Sequence, residues 1–187
     1  MPLVLKYSKK REKAICKVAG RYIAQGKIIV YPTDTVYGMG CNAQNRTAVG
    51  KIFKIKKRPR AQPLSILVSD FKMLERFTRL NKKEKGFARA KLPGKFTLIF
   101  SHRKKLPVSK GKIGFRIPKH WCAKIAKEFG GPITTTSANI HGKPTPSRVS
   151  ELAEIFGKKV DLYIDGGRLN GKASKVLDFA ERKVLRN

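Results

Sequence analysis

Apolar residues recur every three or four positions in several segments of the chain, which is the spacing of an amphipathic helix. The first segment ends before Gly26 and carries the apolar positions Ala14, Ile15, Val18, Ala19, Tyr22 and Ile23. Further helices are predicted over 46–56, 121–129 and 149–156. Each of these segments is long enough to bury one face against other elements.

Short apolar runs lie between the helical segments and predict strands. These runs cover 27–31, 64–68, 96–100, 113–117, 160–164 and 176–179. Helices that alternate with strands are typical of an α/β or α+β domain. Because the 187 residues contain no linker and no internal repeat, we expect a single domain over 1–187.

Several classes of protein are disfavoured by the composition. The chain has no run of about eighteen apolar residues, and its first seven residues are too short in apolar positions for a signal peptide, so we expect a cytoplasmic protein without membrane insertion. The three cysteines, Cys16, Cys41 and Cys122, are far apart and form no C-x-x-C pair. This arrangement disfavours disulfides and zinc, and we expect no metal site built from protein side chains.

The formal net charge is extreme. The chain has 43 Lys and Arg residues but only 12 Asp and Glu residues, which gives +31. A surface this basic attracts polyanions, so contact with tRNA or double-stranded RNA is one expectation. The basic residues are spread along the whole chain rather than gathered in one tail. The alternative is therefore a diffuse, solvated charge that reflects the proteome of the source organism.

Three polar segments carry candidate chemistry: Pro32–Gly40, Lys56–Pro59 and Thr134–Asn139. The first is predicted as a loop of hydroxyls and glycines directly after the strand at 27–31. In the second, Arg58 can bind phosphate oxygens in bidentate fashion and Lys56 adds a mobile point charge. The third is predicted as a turn. Taken singly, each segment fits a solvated helix face or an ordinary polar turn, whereas together they predict one pocket for a polyphosphate.

Six stretches, in order along nearly the full chain, resemble the YrdC-type L-threonylcarbamoyladenylate synthases. They are YPTDTVYGMG at 31–40, IKKRP at 55–59 with Pro63 and Leu64, LPGKFT at 92–97, GFRIP at 114–118 with His120, TSAN at 136–139 with Gly142, and ASKVLD at 173–178. The resemblance implies a YrdC/RibB-like α/β fold, in which a twisted, open mixed sheet flanked by helices forms a concave basic face. It also implies an activity that converts L-threonine, bicarbonate and ATP into threonylcarbamoyl-AMP and pyrophosphate for tRNA threonylcarbamoyladenosine modification.

Site residues follow from the same resemblance. It implies that the ATP phosphates are held by a catalytic set of four residues, Lys56, Arg58, Ser137 and Asn139, with Gln62 and Arg186 as further nucleotide contacts. It implies that threonine is held by Thr33, Thr35, Arg116, Thr135 and Ser174, with Arg116 as the natural partner of the carboxylate. Mg²⁺ is expected with ATP; Asp34 is the nearest carboxylate, although a structural turn is its favoured role.

The chain departs from the family pattern at three places. Lys175 stands where a Thr is usual, Met39 stands where a Leu is common, and Leu67 stands where longer relatives carry a His that touches threonine. The sequence given ends at Asn187, so we expect the short, single-domain branch. Downstream proteins that transfer the threonylcarbamoyl group are implied as partners. The alternative hypothesis is a non-catalytic RNA-binding module of the same fold, although the sequence shows no aromatic platform of the known RNA-binding modules.

Overall fold

In the computed structural model, helices flank one face or the other of a central sheet. The structure describes residues 2–103, 106–109, 111–181 and 183–186. The described residues form six α-helices: α1 (Glu12–Ala24), α2 (Arg46–Ile55), α3 (Phe71–Glu75), α4 (Lys82–Lys91), α5 (Ala123–Phe129) and α6 (Val149–Phe156). Two short 3-10 helices cover Lys9–Arg11 and Gly157–Lys159. Within the described ranges, no helix is both long and apolar enough to cross a membrane.

Ten strands of the described chain form a single mixed sheet. They are β1 (Leu3–Lys6), β2 (Ile29–Tyr31), β3 (Gly38–Gly40), β4 (Ser65–Leu67), β5 (Phe96–Phe100), β6 (Ile113–Arg116), β7 (Ile133–Ser137), β8 (Leu162–Asp165), β9 (Lys175–Asp178) and β10 (Lys183–Arg186). Their order is β1-β8-β2-β3-β7-β4-β6-β5-β9-β10. β3, β7, β4 and β6 therefore lie at the centre, where both neighbours are strands.

Side-chain caps fix where several helices begin. Asn45 accepts a hydrogen bond from the backbone of Ala48 at 3.0 Å and starts α2, and Asp70 does the same for α3. Asn81 and Glu84 form a reciprocal capping box at the start of α4. At the other end of a helix, Gly130 stops α5 in the left-handed conformation with φ 79°.

The core lies against the central strands. All three residues of β2 are fully buried, and so are Met39 of β3, Ile66 of β4 and Phe115 of β6. α1 supplies Ile15, Cys16, Ala19 and Ile23 to this core, at the helical spacing that the sequence predicts. The three cysteines are free and buried, in agreement with the expectation of no disulfide.

The predicted fold class is confirmed, but some local expectations are wrong. Residues 38–40, which we expected within a loop, form β3, because their backbone pairs with β2 on one side and β7 on the other. Residues 134–137 of the segment expected as a turn lie instead in β7, between β3 and β4. The pattern also missed four elements: β1, α3, α4 and β10.

A buried carboxylate at the start of α1 yields a first prediction. Glu12 accepts from Lys124 Nζ at 2.5 Å and from the hydroxyl of Tyr7 at 2.8 Å. Its side chain is 8% exposed. The Lys124 hydrogen bond, and next the Tyr7 hydrogen bond, lower the pKa of Glu12 from 4.5 to about 2. A lowered pKa stabilises the fold above pH 4.5, and this stabilisation is lost as the pH falls from 4.5 towards 2.

Glu12→Gln should therefore lower the free energy of unfolding at neutral pH and flatten its decline between pH 4.5 and 2. Since Lys124 is largely exposed, solvent screening limits the expected effect to about 1–2 kcal/mol. Urea unfolding of both proteins across this pH range measures it. Glu154→Gln, which removes an exposed carboxylate of α6, is the matched control. Parallel pH curves for Glu12→Gln and wild type would contradict the prediction.

Candidate active site

A cavity of about 540 Å³ lies over the centre of the sheet. Strands β3 to β7 and the segments that follow β2 and β8 supply its walls. Period-two alternation places Gly114 and Arg116 of β6 on the same face of the sheet, and both line the cavity. Across β7 and β4, Thr135 pairs with Ser65, and both line it as well.

Glycine keeps the floor of the cavity open at β6. A Cβ atom on Gly114 would stand 2.6 Å from Ser65 Oγ and 2.8 Å from Thr97 Cγ2. Both distances are shorter than real Cβ contacts. The hydroxyls of two neighbouring strands can therefore approach across β6 only because this position has no side chain.

Hydrogen bonds in the loop after β2 fix the orientation of two threonine hydroxyls at one end of the cavity. The hydroxyl of Thr33 donates to Val36 O at 2.7 Å, so its single proton is committed. The 2.9 Å contact between the hydroxyls of Thr33 and Thr35 must then be donated by Thr35. Thr35 Oγ1 also accepts from Arg116 Nη2 at 2.9 Å. The Thr35 hydroxyl can therefore only accept a hydrogen bond from a ligand.

An ion pair lies beside these threonines. Arg116 Nη2 donates to Asp34 Oδ1, and both side chains are more than nine-tenths buried. Among the described residues, Asp34 Oδ2 and Arg116 Nε have no hydrogen-bond partner. Asp34 is thus occupied by an arginine. The residues that the structure describes include no group of three or more His, Cys, Asp or Glu side chains that could hold a metal ion.

The segment between β8 and β9 covers the same end of the cavity. Tyr37 donates to Gly167 O at 2.6 Å and accepts from Gly166 N at 3.0 Å, and burial raises its pKa to about 12. The Cβ position of Gly171 lies 2.0 Å from Thr35 O, so the two backbones are in direct contact. Further along, Ser174 lines the cavity and its hydroxyl lies 2.9 Å from that of Thr97.

Arg58 lines the opposite end. Its Nε donates to Gln62 O and its Nη2 to Pro63 O, each at 3.1 Å. Its Nη1 lies 3.5 Å from Nδ1 of His141. The guanidinium is thus held by the turn that follows α2 while remaining part of the cavity wall. A planar, permanently charged group in this setting suits phosphate oxygens.

Lys56 is buried behind this end of the cavity, with 1% of its surface exposed. Its Nζ donates to Ser137 O at 2.5 Å, Asn139 O at 2.7 Å and Asn139 Oδ1 at 3.0 Å. Burial, and next the charge of Arg58, lower the pKa of Lys56 to about 7, whereas the three oxygens favour the charged form. Because Nζ donates to three oxygens and a neutral amine has only two hydrogens, we assign the ammonium form.

Lys56 thus holds the end of β7 in place. Asn139 Oδ1 also accepts from the hydroxyl of Ser137 at 2.7 Å, and the amide nitrogen of Asn139 donates to Lys143 O. Contrary to the expected mobile charge, Lys56 is a fixed one. The basic side chain near the middle of the sequence and the polar turn about eighty positions later do converge.

The structure brings most of the predicted site residues to one cavity. Those that line it are Thr33, Thr35, Arg58, Gln62, Arg116, Thr135, Ser137 and Ser174. Lys56 and Asn139 stand behind Ser137, outside the described lining. Arg186 lies in β10, and its side chain is outside the described part of the chain. Their roles in binding or catalysis stay predictions.

Sequence reasoning missed four polar or charged lining positions: Ser65, Thr97, Lys112 and Thr136. Lys112 pairs with Asp178 and Glu181, each at 3.0 Å. Ser65 and Thr97 stand within strands that were predicted, and alternation along those strands would have placed their hydroxyls on one face. The register that aligns the strands was not available from the sequence.

A family profile named for Sua5, YciO and YrdC, and described as telomere recombination, matches residues 21–187. The chain belongs to this family. The matched span includes all the described residues that line the cavity, from Thr33 to Leu185. The family membership that the six sequence stretches predict is therefore confirmed.

Individual members of the family are similar over nearly the full chain. A protein of Methanocaldococcus jannaschii is 36% identical over 186 residues, which cover 97% of this chain and 88% of that protein. A Pyrococcus abyssi protein named threonylcarbamoyl-AMP synthase is 34% identical over 188 residues, which cover 97% of this chain and 55% of that protein. The chain thus spans about half the length of the Pyrococcus relative.

Solved structures of the family share the fold. The structure of P. abyssi Sua5 complexed with L-threonine matches with a TM-score of 0.87 at 31% identity, over 98% of this chain and 56% of that chain. Escherichia coli YciO matches with a TM-score of 0.85 at 24% identity, over 100% of this chain and 97% of that chain. The second likeness bears on the fold alone.

Proposed function

We propose that this protein is an L-threonylcarbamoyladenylate synthase, which forms threonylcarbamoyl-AMP and pyrophosphate from L-threonine, bicarbonate and ATP. One observation supports this most: a single cavity has Arg58 and Ser137 at one end and the Thr35–Arg116 network at the other. The first end suits phosphates and the second suits an amino acid. The name of the P. abyssi relative and the threonine complex of P. abyssi Sua5 point the same way.

At the phosphate end, Arg58 would contact the phosphate oxygens directly, because its guanidinium lines the cavity. Lys56 would act from behind Ser137, as a fixed positive charge in a setting of low dielectric. On this proposal the hydroxyl proton of Ser137 turns from Asn139 Oδ1 to a phosphate oxygen when ATP binds. Gln62 would face the nucleotide from the turn that holds Arg58.

At the amino-acid end, Arg116 would bind the carboxylate of threonine. Thr35 Oγ1, which can only accept, would receive a hydrogen bond from the amino group. Thr33 would act through Thr35, since its own hydroxyl proton is committed to Val36 O. Thr135 and Ser174 would complete the wall around the substrate side chain, together with Thr97.

The reaction needs no protein nucleophile. The ammonium group of threonine first loses a proton to solvent. The neutral amine then combines with bicarbonate to give a carbamate and water. A carbamate oxygen then attacks the α-phosphorus of ATP, the bond to the β-phosphate oxygen breaks, and pyrophosphate leaves. Catalysis would consist of aligning two anions and stabilising the charge that develops, which are the main contributions in phosphoryl transfer.

Mg²⁺ would enter as part of the ATP substrate, bound by its phosphates. Asp34 is not suited to hold it, because Arg116 occupies one of its carboxylate oxygens. The residues proposed here therefore act on the nucleotide through positive charge and hydrogen bonds. Proteins that transfer the threonylcarbamoyl group to tRNA would consume the product.

The proposal predicts pyrophosphate release that requires ATP, bicarbonate and L-threonine together. The measurement is a coupled pyrophosphate assay with each proteinogenic amino acid in turn. We expect threonine to support turnover best, because the cavity wall offers hydroxyls for its side-chain hydroxyl. Pyrophosphate release without any amino acid, or equally with all of them, would count against the proposal. Absence of turnover together with salt-sensitive RNA binding would favour the non-catalytic module.

The contact between Gly171 and Thr35 gives a further prediction. In Gly171→Ala, the added methyl would stand 2.0 Å from Thr35 O, so the backbone of one segment must shift. We expect the KM for threonine to rise by about tenfold or more, with little change in the KM for ATP, because Thr35 and Ser174 lose their alignment. Steady-state kinetics measure both constants.

A second glycine variant controls for the added methyl. Gly86, within α4, has no heavy atom within 4 Å of its Cβ position, so Gly86→Ala should leave both KM values unchanged. If Gly171→Ala raises the KM for ATP as much as the KM for threonine, the assignment of the two ends of the cavity is wrong.

A further inference from the structure

Asp34 stands directly behind the amino-acid end of the cavity. Its carboxylate binds Arg116, and the side chains are 9% and 7% exposed respectively. Arg116 and its second acceptor, Thr35, line the cavity, whereas Asp34 is not among the described lining residues. Asp34 can therefore act on a ligand through Arg116 and through its own charge.

Two polar atoms of this ion pair have no hydrogen-bond partner among the described residues. They are Asp34 Oδ2 and Arg116 Nε, and both are buried. Such atoms are rare in folded proteins, because burial removes their hydrogen bonds to water without replacing them. One is an acceptor on a negative group, and the other is a donor on a positive group. Apart from the Arg116–Thr35 hydrogen bond, the described residues therefore offer these two charged groups little further hydrogen bonding.

The residues His120, Thr33 and Thr35, which lie next to the ion pair, add no net charge to that of Asp34 and Arg116. His120 interacts with both, but burial lowers its pKa, so its imidazole is neutral near pH 7. Thr33 and Thr35 contribute only hydroxyls, and Thr35 can only accept. Arg116 and Asp34 therefore sum to zero net charge next to the cavity.

We propose that Asp34 is a specificity-determining positioning residue, which makes this end of the cavity select a zwitterionic α-amino acid over an anion with the same carbon skeleton. This inference rests on the proposed function, which supplies threonine as the ligand. Arg116 alone would attract any carboxylate. The negative charge of Asp34 behind it repels a net anion and attracts the ammonium group.

The test compares two ligands that differ in one group. Calorimetry near neutral pH measures the Kd of L-threonine and of the 2,3-dihydroxybutanoate of matching stereochemistry, in which a hydroxyl replaces the ammonium. We expect the wild-type protein to prefer threonine by tenfold or more. In Asp34→Asn, which keeps the shape and an acceptor for Arg116, this preference should fall by about tenfold or more. Asp34→Glu should restore part of it.

Two control variants separate charge from structure. Glu154→Gln removes one exposed negative charge of α6 and should leave the preference unchanged. Thr35→Val removes one hydrogen bond to Arg116 without changing any charge, so it should weaken both ligands by a similar factor.

Several outcomes would overturn the inference. Asp34→Asn could weaken both ligands equally, which is what a purely structural role predicts. The wild-type protein could bind both ligands equally, a result that decides the matter even if Asp34→Asn does not fold. Both results leave the proposed function standing, provided that threonine-dependent pyrophosphate release is observed. Failure of the wild-type protein to bind threonine or release pyrophosphate would overturn the proposed function too.

Discussion

Arg58→Ala is expected to lower kcat/KM for ATP by about 10²–10³-fold, the usual effect of removing one preorganised donor from a developing charge. Arg58 is a cation that lines the phosphate end of the cavity, and three of its nitrogens approach oxygens or a ring nitrogen of nearby segments. Alanine would remove both its charge and its hydrogen bonds to the turn at 62–63. Pyrophosphate release at varied ATP measures the effect.

Arg60→Ala is the matched control for this variant. Arg60 is an exposed arginine two positions further on, and it lies 5.6 Å from the ring centroid of Phe53. It does not belong to the described lining of the cavity, so its loss should change kcat/KM by less than about threefold. Similar losses in Arg58→Ala and Arg60→Ala would mean that general positive charge, and not the placement of Arg58, binds the nucleotide.

Lys56→Ala is expected to abolish measurable turnover and also to destabilise the protein. Three part-buried oxygens of Ser137 and Asn139 would lose their common donor. Ser137 O keeps the backbone N–H of Asn139 and Asn139 Oδ1 keeps the hydroxyl of Ser137, whereas Asn139 O is left without a described donor. One unpaired oxygen costs about 1–3 kcal/mol, so we expect a loss of this size in the free energy of unfolding. Turnover fails because Ser137 is no longer held at the cavity wall.

Two further lysine variants sharpen this prediction. Lys56→Met keeps the apolar stem and removes only the ammonium, so it should lose turnover as fully as the alanine variant. Lys54→Ala removes an exposed lysine of α2 and should change neither turnover nor stability appreciably. Urea unfolding and pyrophosphate release measure both properties. A Lys56→Met protein with near-normal turnover would show that the ammonium is not needed to hold the turn.

The helices and longer strands could be predicted because their burial follows the local pattern. α1 buries Ile15, Ala19 and Ile23 of the apolar positions that the 3.6-residue spacing indicates, although Ala14 is exposed. β5 coincides with the apolar run at 96–100. β3 could not be predicted in this way. Its sequence is Gly-Met-Gly, which has low strand propensity, and it is a strand because it is hydrogen-bonded to both β2 and β7.

The predicted site residues lie together where their side chains reach the cavity from motif segments. Thr35, Arg58, Arg116 and Ser137 all line it. The placement of Lys56 could not be predicted, because six of the ten residues at 51–60 are basic and such a segment is typical of a solvated helix face. Its burial depends on oxygens of the turn at 137–139, more than eighty positions away.

The pairing of Asp34 with Arg116 could not be predicted from local sequence patterns either. An Asp between two threonines after a strand is typical of a turn that its own side chain stabilises. Here the side chain instead reaches an arginine of β6, at a separation of 82 positions. Contacts of this kind depend on the order of strands in the sheet.

Incorporation of labelled bicarbonate into an adenylate tests the central claim most directly. The wild-type protein is incubated with ATP, L-threonine and ¹⁴C-bicarbonate, and the nucleotides are separated by chromatography. We expect the label in a threonine-dependent adenylate that appears together with pyrophosphate and forms about 10²–10³-fold more slowly with Arg58→Ala at low ATP. Pyrophosphate released without label in any adenylate, or no reaction in the presence of all three substrates, would contradict the account.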